Sequence, residues 1–317
     1  MNFSDQQRLK ETILQEYPRL GRDDSFAFAC GPGVSCFTVC CADVTIALTP
    51  YDVLRLKRGL GISSEEFLTR YTLIPFDQES RVPVVILRLL ENEKKSCPFV
   101  GAQGCSVYPD RPWACRMYPL GLASPAKDSP ALGARLTVRL SSRPKAPAAA
   151  PSEEFFFLLK EEPCAGHEAQ RRLTIRQWLS EQGIDQDNAL GELFKEISLH
   201  PRLLKGMNLD PGQMEMFYLA CYNLDKFRQF VFESSFLKRF QIEPGLEAKL
   251  RDDDLELMKF GFRWLRFALF GEPTVELKPE AKRWAETQLR GVIPTGSRGA
   301  INRAPTSAPS TKNGVSQ

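Results

Sequence analysis

Eight of the nine cysteines in this 317-residue chain lie between Cys30 and Cys164, and Cys221 alone falls outside. That clustering constrains the fold more than any other feature. They come as Cys30-x5-Cys36-x3-Cys40-Cys41, then Cys97-x7-Cys105-x9-Cys115, then Cys164. In an oxidising compartment such a set would suggest four disulfides, but Met1 to Arg22 mixes acids and bases with no apolar core of a signal peptide. A cytoplasmic address is therefore expected, where disulfides are rare. A chain this long can also bury a core without covalent staples. Metal ligation is the better reading, because thiolate sulfur is a soft ligand suited to zinc or iron–sulfur centres.

Charge and hydropathy narrow the remaining classes. The net charge is +3, yet Gly291 to Gln317 holds Arg298, Arg303 and Lys312 and no acid, so the other 290 residues balance. Nothing calls for a basic face that neutralises phosphates, and no nucleic-acid partner is expected. The most apolar stretch, Leu255 to Phe270, is broken by Lys259, Arg263 and Arg266. No membrane span is expected either.

Local signals give an α+β chain: a small cysteine-rich metal-binding domain over 1–182, an α-helical domain over 183–290 and a disordered tail over 291–317. Leu9, Ile13, Leu14 and Tyr17 fall at helical spacing. Val44, Ile46 and Leu48 alternate as a strand would. Thr49 and Pro50 supply an N-cap and first helical residue for a helix ending near Gly61. Ser63 to Glu66 resembles a capping box for a helix through Tyr71. Val82 to Leu90 and Glu153 to Leu159 read as strands, with a proline- and alanine-rich loop over Ser141 to Pro151. Thr174 and Gln177 open another helix with a capping box.

Further on, Met214, Phe217, Tyr218, Cys221 and Leu224 share one helical face. Asp254 to Phe270 and Pro279 to Leu289 read as helices. The aromatic stripe is expected to pack on sister helices, with a protein partner as its alternative use.

The candidate ligands are Cys30, Cys36, Cys40, Cys41, Cys97, Cys105, Cys115 and Cys164. No Cys-x-x-Cys pair occurs, so spacing alone does not separate zinc from an iron–sulfur cluster. Gly31, Gly33, Gly101 and Gly104 let the ligand loops wrap. Lys94, Lys95, Arg111 and Arg116 are placed to offset thiolate charge. If Cys40 and Cys41 lie on extended chain they face opposite sides, so one of them is buried or serves a second centre. His167 could complete a mixed site, although a loop histidine more often faces solvent. His200 precedes Pro201 at a helix end and could meet the dipole there. Cys221 belongs to the apolar stripe, and Asp52 is explained as a helix N-terminal acid.

Two segments, CFTVCCADVTIALTPYDVLRLKRGLG (Cys36 to Gly61) and CPFVGAQGCSVYPDRPWACRMYPLG (Cys97 to Gly121), carry a family resemblance. With Cys164-x-Gly166 and Trp178 they resemble the YkgJ-like cysteine-cluster proteins, whose shared region is described as zinc- or iron-chelating. The first group departs from that pattern, which is closer to Cys-x-x-Cys-x-x-Cys-Cys. The resemblance covers about residues 25 to 182 and implies that the clustered cysteines hold zinc or an iron–sulfur cluster, with redox or methyl-transfer chemistry in prospect. The family also includes flagellin lysine N-methylases, which implies, as an alternative, S-adenosylmethionine-dependent methyl transfer to lysine with S-adenosylmethionine as cofactor. A third reading is a structural zinc module supporting a helical interaction domain, since zinc can contribute about 10–16 kcal/mol to folding.

Overall fold

The computed structural model describes residues 17–74, 81–123 and 154–283. The helix expected before Tyr17, the Ser141–Pro151 loop and the tail lie outside them. Helix α1 (Pro50–Leu60) starts on a full capping box between Thr49 and Asp52 and ends on Gly61, whose φ of 66° is the left-handed stop that glycine allows. Helix α2 (Ser64–Tyr71) follows on an N-cap from Ser63. Helix α3 (Trp113–Met117) carries Cys115. Helix α4 (Ile175–Glu181) has the Thr174–Gln177 capping box.

Helices then dominate: α5 (Ile184–Ser198), α6 (Pro201–Leu204), α7 (Pro211–Cys221), α8 (Leu224–Glu233), α9 (Phe236–Arg239), α10 (Pro244–Asp252) and α11 (Asp254–Phe270). Residues 279–283 are helical, and the remainder of the expected last helix lies outside the described residues.

The strands are short and pair antiparallel in small sheets. Val85–Leu87 sits between Ala47–Leu48 and Thr72–Leu73, so the apolar run Val82 to Leu90 yields only three strand residues. Ser25–Ala27 pairs with Arg172–Thr174, and Leu120–Ala123 with Phe155–Leu158. Val100–Gly101 and Gly104–Cys105 form a hairpin.

The largest apolar core takes Leu54, Phe67, Val85 and Phe99 from the cysteine-bearing half together with Phe217 and Phe260 from the helices, so one core spans residue 182. A second core holds Phe28, Met117, Phe156, Ile175 and Trp178. Two expectations need correction. The stripe from Met214 to Leu224 is not one helix: α7 stops at Cys221, and Asn223 caps α8 by accepting from the Lys226 N–H at 3.2 Å. Phe217 and Cys221 are nonetheless fully buried, and α11 approaches α7 so closely that a Cβ on Gly261 would stand 2.7 Å from the Ala220 carbonyl.

His200 begins a helix: its Nδ1 accepts from the Arg202 N–H at 3.2 Å, its ring stacks on Phe270, and Nε2 lies 3.1 Å from Glu272. Among the described residues no helix is long and apolar enough to cross a membrane.

Candidate metal centre

Consecutive turns wind the first cysteine segment. The N–H groups of Val34, Phe37, Val39 and Cys41 donate to the carbonyls three residues earlier, ending in a 3-10 turn over Val39–Cys41. Its start is fixed from the other end of the cysteine-rich region. After the strand Ser25–Ala27, the Ala29 N–H donates to the Gly166 carbonyl at 3.0 Å. A Cβ on Gly166 would meet the Ala29 carbonyl at 2.6 Å and the Phe28 ring at 2.7 Å, so only glycine lets the Cys164 loop come this near Cys30. The Ala165 N–H donates to Cys36 Sγ at 3.2 Å.

The second segment is stitched to the first through the Cys40–Cys41 turn. The Cys97 N–H donates to the Cys41 carbonyl at 2.8 Å, and Asp43 meets Lys95 through both backbone and side chains. The hairpin places Cys105 opposite Val100, and Phe37 packs on Gly104 so tightly that a Cβ there would stand 2.8 Å from its ring. Cys115 is set by α1. Asp52, buried, takes the Thr49 N–H and hydroxyl on one carboxylate oxygen and the Trp113 N–H at 2.6 Å on the other. One carboxylate thus caps α1 and holds the start of α3. The three non-glycine residues with positive φ among the described residues are Thr38, Asp43 and Lys95, each two positions from a cysteine. Such backbone costs about 1–3 kcal/mol per residue and persists where surrounding structure enforces it.

Electrostatics sort the thiols into two neighbourhoods. Loss of water raises Cys30, and the charges of Cys40, Cys164 and Cys36 raise it further. A hydrogen bond from the Cys40 thiol to Cys41 and then burial push Cys40 up. In the other group burial, then Cys97, push Cys115 up to about 12, with Cys105 adding to it. Burial raises Cys97, and the charge of Cys105 does so as well. For Cys30, Cys40, Cys97 and Cys115 the neutral thiol is favoured until a cation offsets that crowding. Among the described residues no three Cys, His, Asp or Glu side chains already surround a common point closely enough to hold an ion. The donors fit zinc or iron in kind and number, and the ligand loops must draw inward to close on it.

The flanking charges only partly match expectation. Arg111 does act on the thiols, lowering both Cys30 and Cys115, while Tyr108 and Gln182 hold its guanidinium. Arg116 does not balance thiolates: it is buried, bound to Asp187 and to the Gln182 and Arg111 carbonyls. Lys95 is spent on Asp43, and Lys94 is exposed. His167 turns its Nε2 to the Leu159 carbonyl at 3.0 Å and packs on Phe28. Cys221 lies in the core.

Two neighbours escaped the sequence reading. The Tyr118 hydroxyl is buried without a well-formed hydrogen bond, and burial followed by the adjacent Cys164 raises its pKa. Glu161, itself raised by burial, adds its charge there. Tyr118 stands in the Cys-Arg-x-Tyr-Pro motif and Glu161 three residues before Cys164, so proximity to a candidate cysteine was the available signal.

Three separate stretches of chain bring the eight clustered cysteines into one thiol-dense region, in which Cys97 is buried, Cys30 and Cys40 are exposed and the others are half-buried. Consistent with this, residues 29–136 match the family model CxxCxxCC, described as "Putative zinc- or iron-chelating domain". No curated protein and no solved structure matches the chain significantly.

Proposed function

We propose that this chain binds zinc or iron through the thiolates of Cys30, Cys36, Cys40, Cys41, Cys97, Cys105, Cys115 and Cys164. The observation that carries the reading is crowding across the sequence: Cys164, 134 positions further along, stands near enough for its charge to raise the pKa of Cys30, and the N–H of the residue after it donates to Cys36 Sγ. Packed thiols that resist ionisation together become stable thiolates when a cation is placed among them. Bound zinc would brace the loops, and bound iron–sulfur would add electron transfer. The chain's own part is to hold the sulfurs: Asp52 fixes the helix of Cys115, Gly166 admits the Cys164 loop, and Arg111 supplies positive charge.

The test is anaerobic purification of the full chain, followed by zinc, iron and acid-labile sulfide per chain and a visible spectrum. Stoichiometric metal is expected, with sulfide and visible absorption if the centre is iron–sulfur. A folded chain that carries no metal and takes up neither zinc nor iron refutes the reading.

A further inference from the structure

We propose that the eight cysteines form two four-sulfur metal sites: Cys30, Cys36, Cys40 and Cys164 in one, Cys41, Cys97, Cys105 and Cys115 in the other, divided at the Cys40–Cys41 peptide. The inference rests on the metal-binding reading and goes beyond it by assigning ligands. Four is the number that a closed zinc site or a cubane cluster takes from cysteine.

Three independent features support the division. First, members of the two groups pack on different cores. Cys97 belongs to the main core and Cys41 and Cys105 pack against it, whereas Cys164 packs against the second core with Phe28 and Trp178. Second, one hydrogen bond within each group joins distant stretches of chain. The Cys41 carbonyl receives the Cys97 N–H, and Cys36 Sγ receives the N–H of the residue after Cys164. Third, the adjacent pair sits in a 3-10 turn, where successive side chains diverge by about 120°. One peptide can therefore feed both sites. The thiols of Cys40 and Cys41 touch where the groups abut. The charge of Arg111 acts on Cys30 in one group and on Cys115 in the other. Two tetrathiolate zinc sites would each carry a formal charge of −2, and a shared guanidinium is what such neighbours need.

The test uses the full reduced chain, stripped of metal and titrated anaerobically with zinc chloride. Native mass spectrometry counts the ions, and a pulse of N-ethylmaleimide with peptide sequencing reads which cysteines are protected, Cys40 and Cys41 separately. Two zinc ions per chain and protection of all eight are expected. Cys164→Ser should lower the count from two to one, keeping Cys97, Cys105 and Cys115 protected. Cys105→Ser should do the reverse, keeping Cys30, Cys36 and Cys164 protected. A single zinc whose protected cysteines come from both groups overturns the division and leaves the metal reading standing. So does one substitution that abolishes protection in both groups while the chain stays folded by circular dichroism. A wild-type chain that takes no zinc or iron overturns the metal reading and the division with it. The wild-type footprint needs no substitution, so misfolding of a variant does not spare the proposal.

Discussion

Replacing Asp52 with alanine should loosen the joint between α1 and the cysteine-bearing helix α3. Asp52 is 1% exposed and accepts three hydrogen bonds, two from Thr49 and one from the Trp113 N–H. Losing a capping side chain costs about 1 kcal/mol. Leaving the Trp113 N–H without a partner inside the protein costs about 1–3 kcal/mol more. Some of this is returned, because alanine also removes a carboxyl whose burial disfavours its charge. The net loss should be about 2–3 kcal/mol. Asp52→Asn keeps an acceptor for Trp113 and gives up the Thr49 N–H, so it should cost about half as much. Urea unfolding of the reduced chain measures both, and N-ethylmaleimide labelling of Cys115 in native buffer should speed up in the alanine variant. A loss below about 0.5 kcal/mol for alanine, or asparagine as harmful as alanine, would refute the view that Asp52 is the joint.

Acid should weaken the seam between α1 and the later helices. Burial pulls Asp225 and Asp254 upward, but hydrogen bonds from Ser64 to the former and from Arg228 and Lys57 to the latter, with the charge of Lys57, outweigh it and lower both. With folded values below unfolded ones, their contribution is complete above about pH 4 and lost as pH falls through the folded values. Stability against urea should fall in that window, and Lys57→Met should flatten the slope; an unchanged slope would exclude the mechanism. Gly166→Ala should cost about 1–3 kcal/mol by pushing the Ala29 carbonyl and Phe28 away, and should release zinc faster to a chelator. Gly31→Ala, with nothing within 4 Å of its Cβ, should do neither. Asp187→Ala, which strands Arg116 in the interior, should cost about 3–5 kcal/mol by thermal or urea unfolding. Pairing Arg116→Met with Asp187→Leu should recover more than half of that, because apolar side chains leave no buried charge unpaired.

What the sequence disclosed follows the range of the forces involved. The helices α1, α2, α4 and α11 were legible at their starts because caps are local: Thr49 with Asp52, and Thr174 with Gln177, each satisfy N–H groups three residues away. The strand Val85–Leu87 was legible only as part of a longer apolar run, since hydrophobic runs do not reveal where pairing stops. Arg116 was misjudged for the opposite reason. Its neighbour in sequence is Cys115, but its partner Asp187 lies 71 residues away, and only the fold brings them together.

The cysteine spacing illustrates the same limit. A Cys-x-x-Cys pair can close on one ion by local geometry, whereas gaps of five and three residues leave the sulfurs' directions to the turns between them. Those turns proved to be a run of three-residue closures ending in a 3-10 turn rather than an extended segment. Extended chain would have pointed Cys40 and Cys41 to opposite faces, one of them toward the core or another centre. The tighter turn separates them less, which lets the two thiols meet while the Cys41 carbonyl receives the Cys97 N–H.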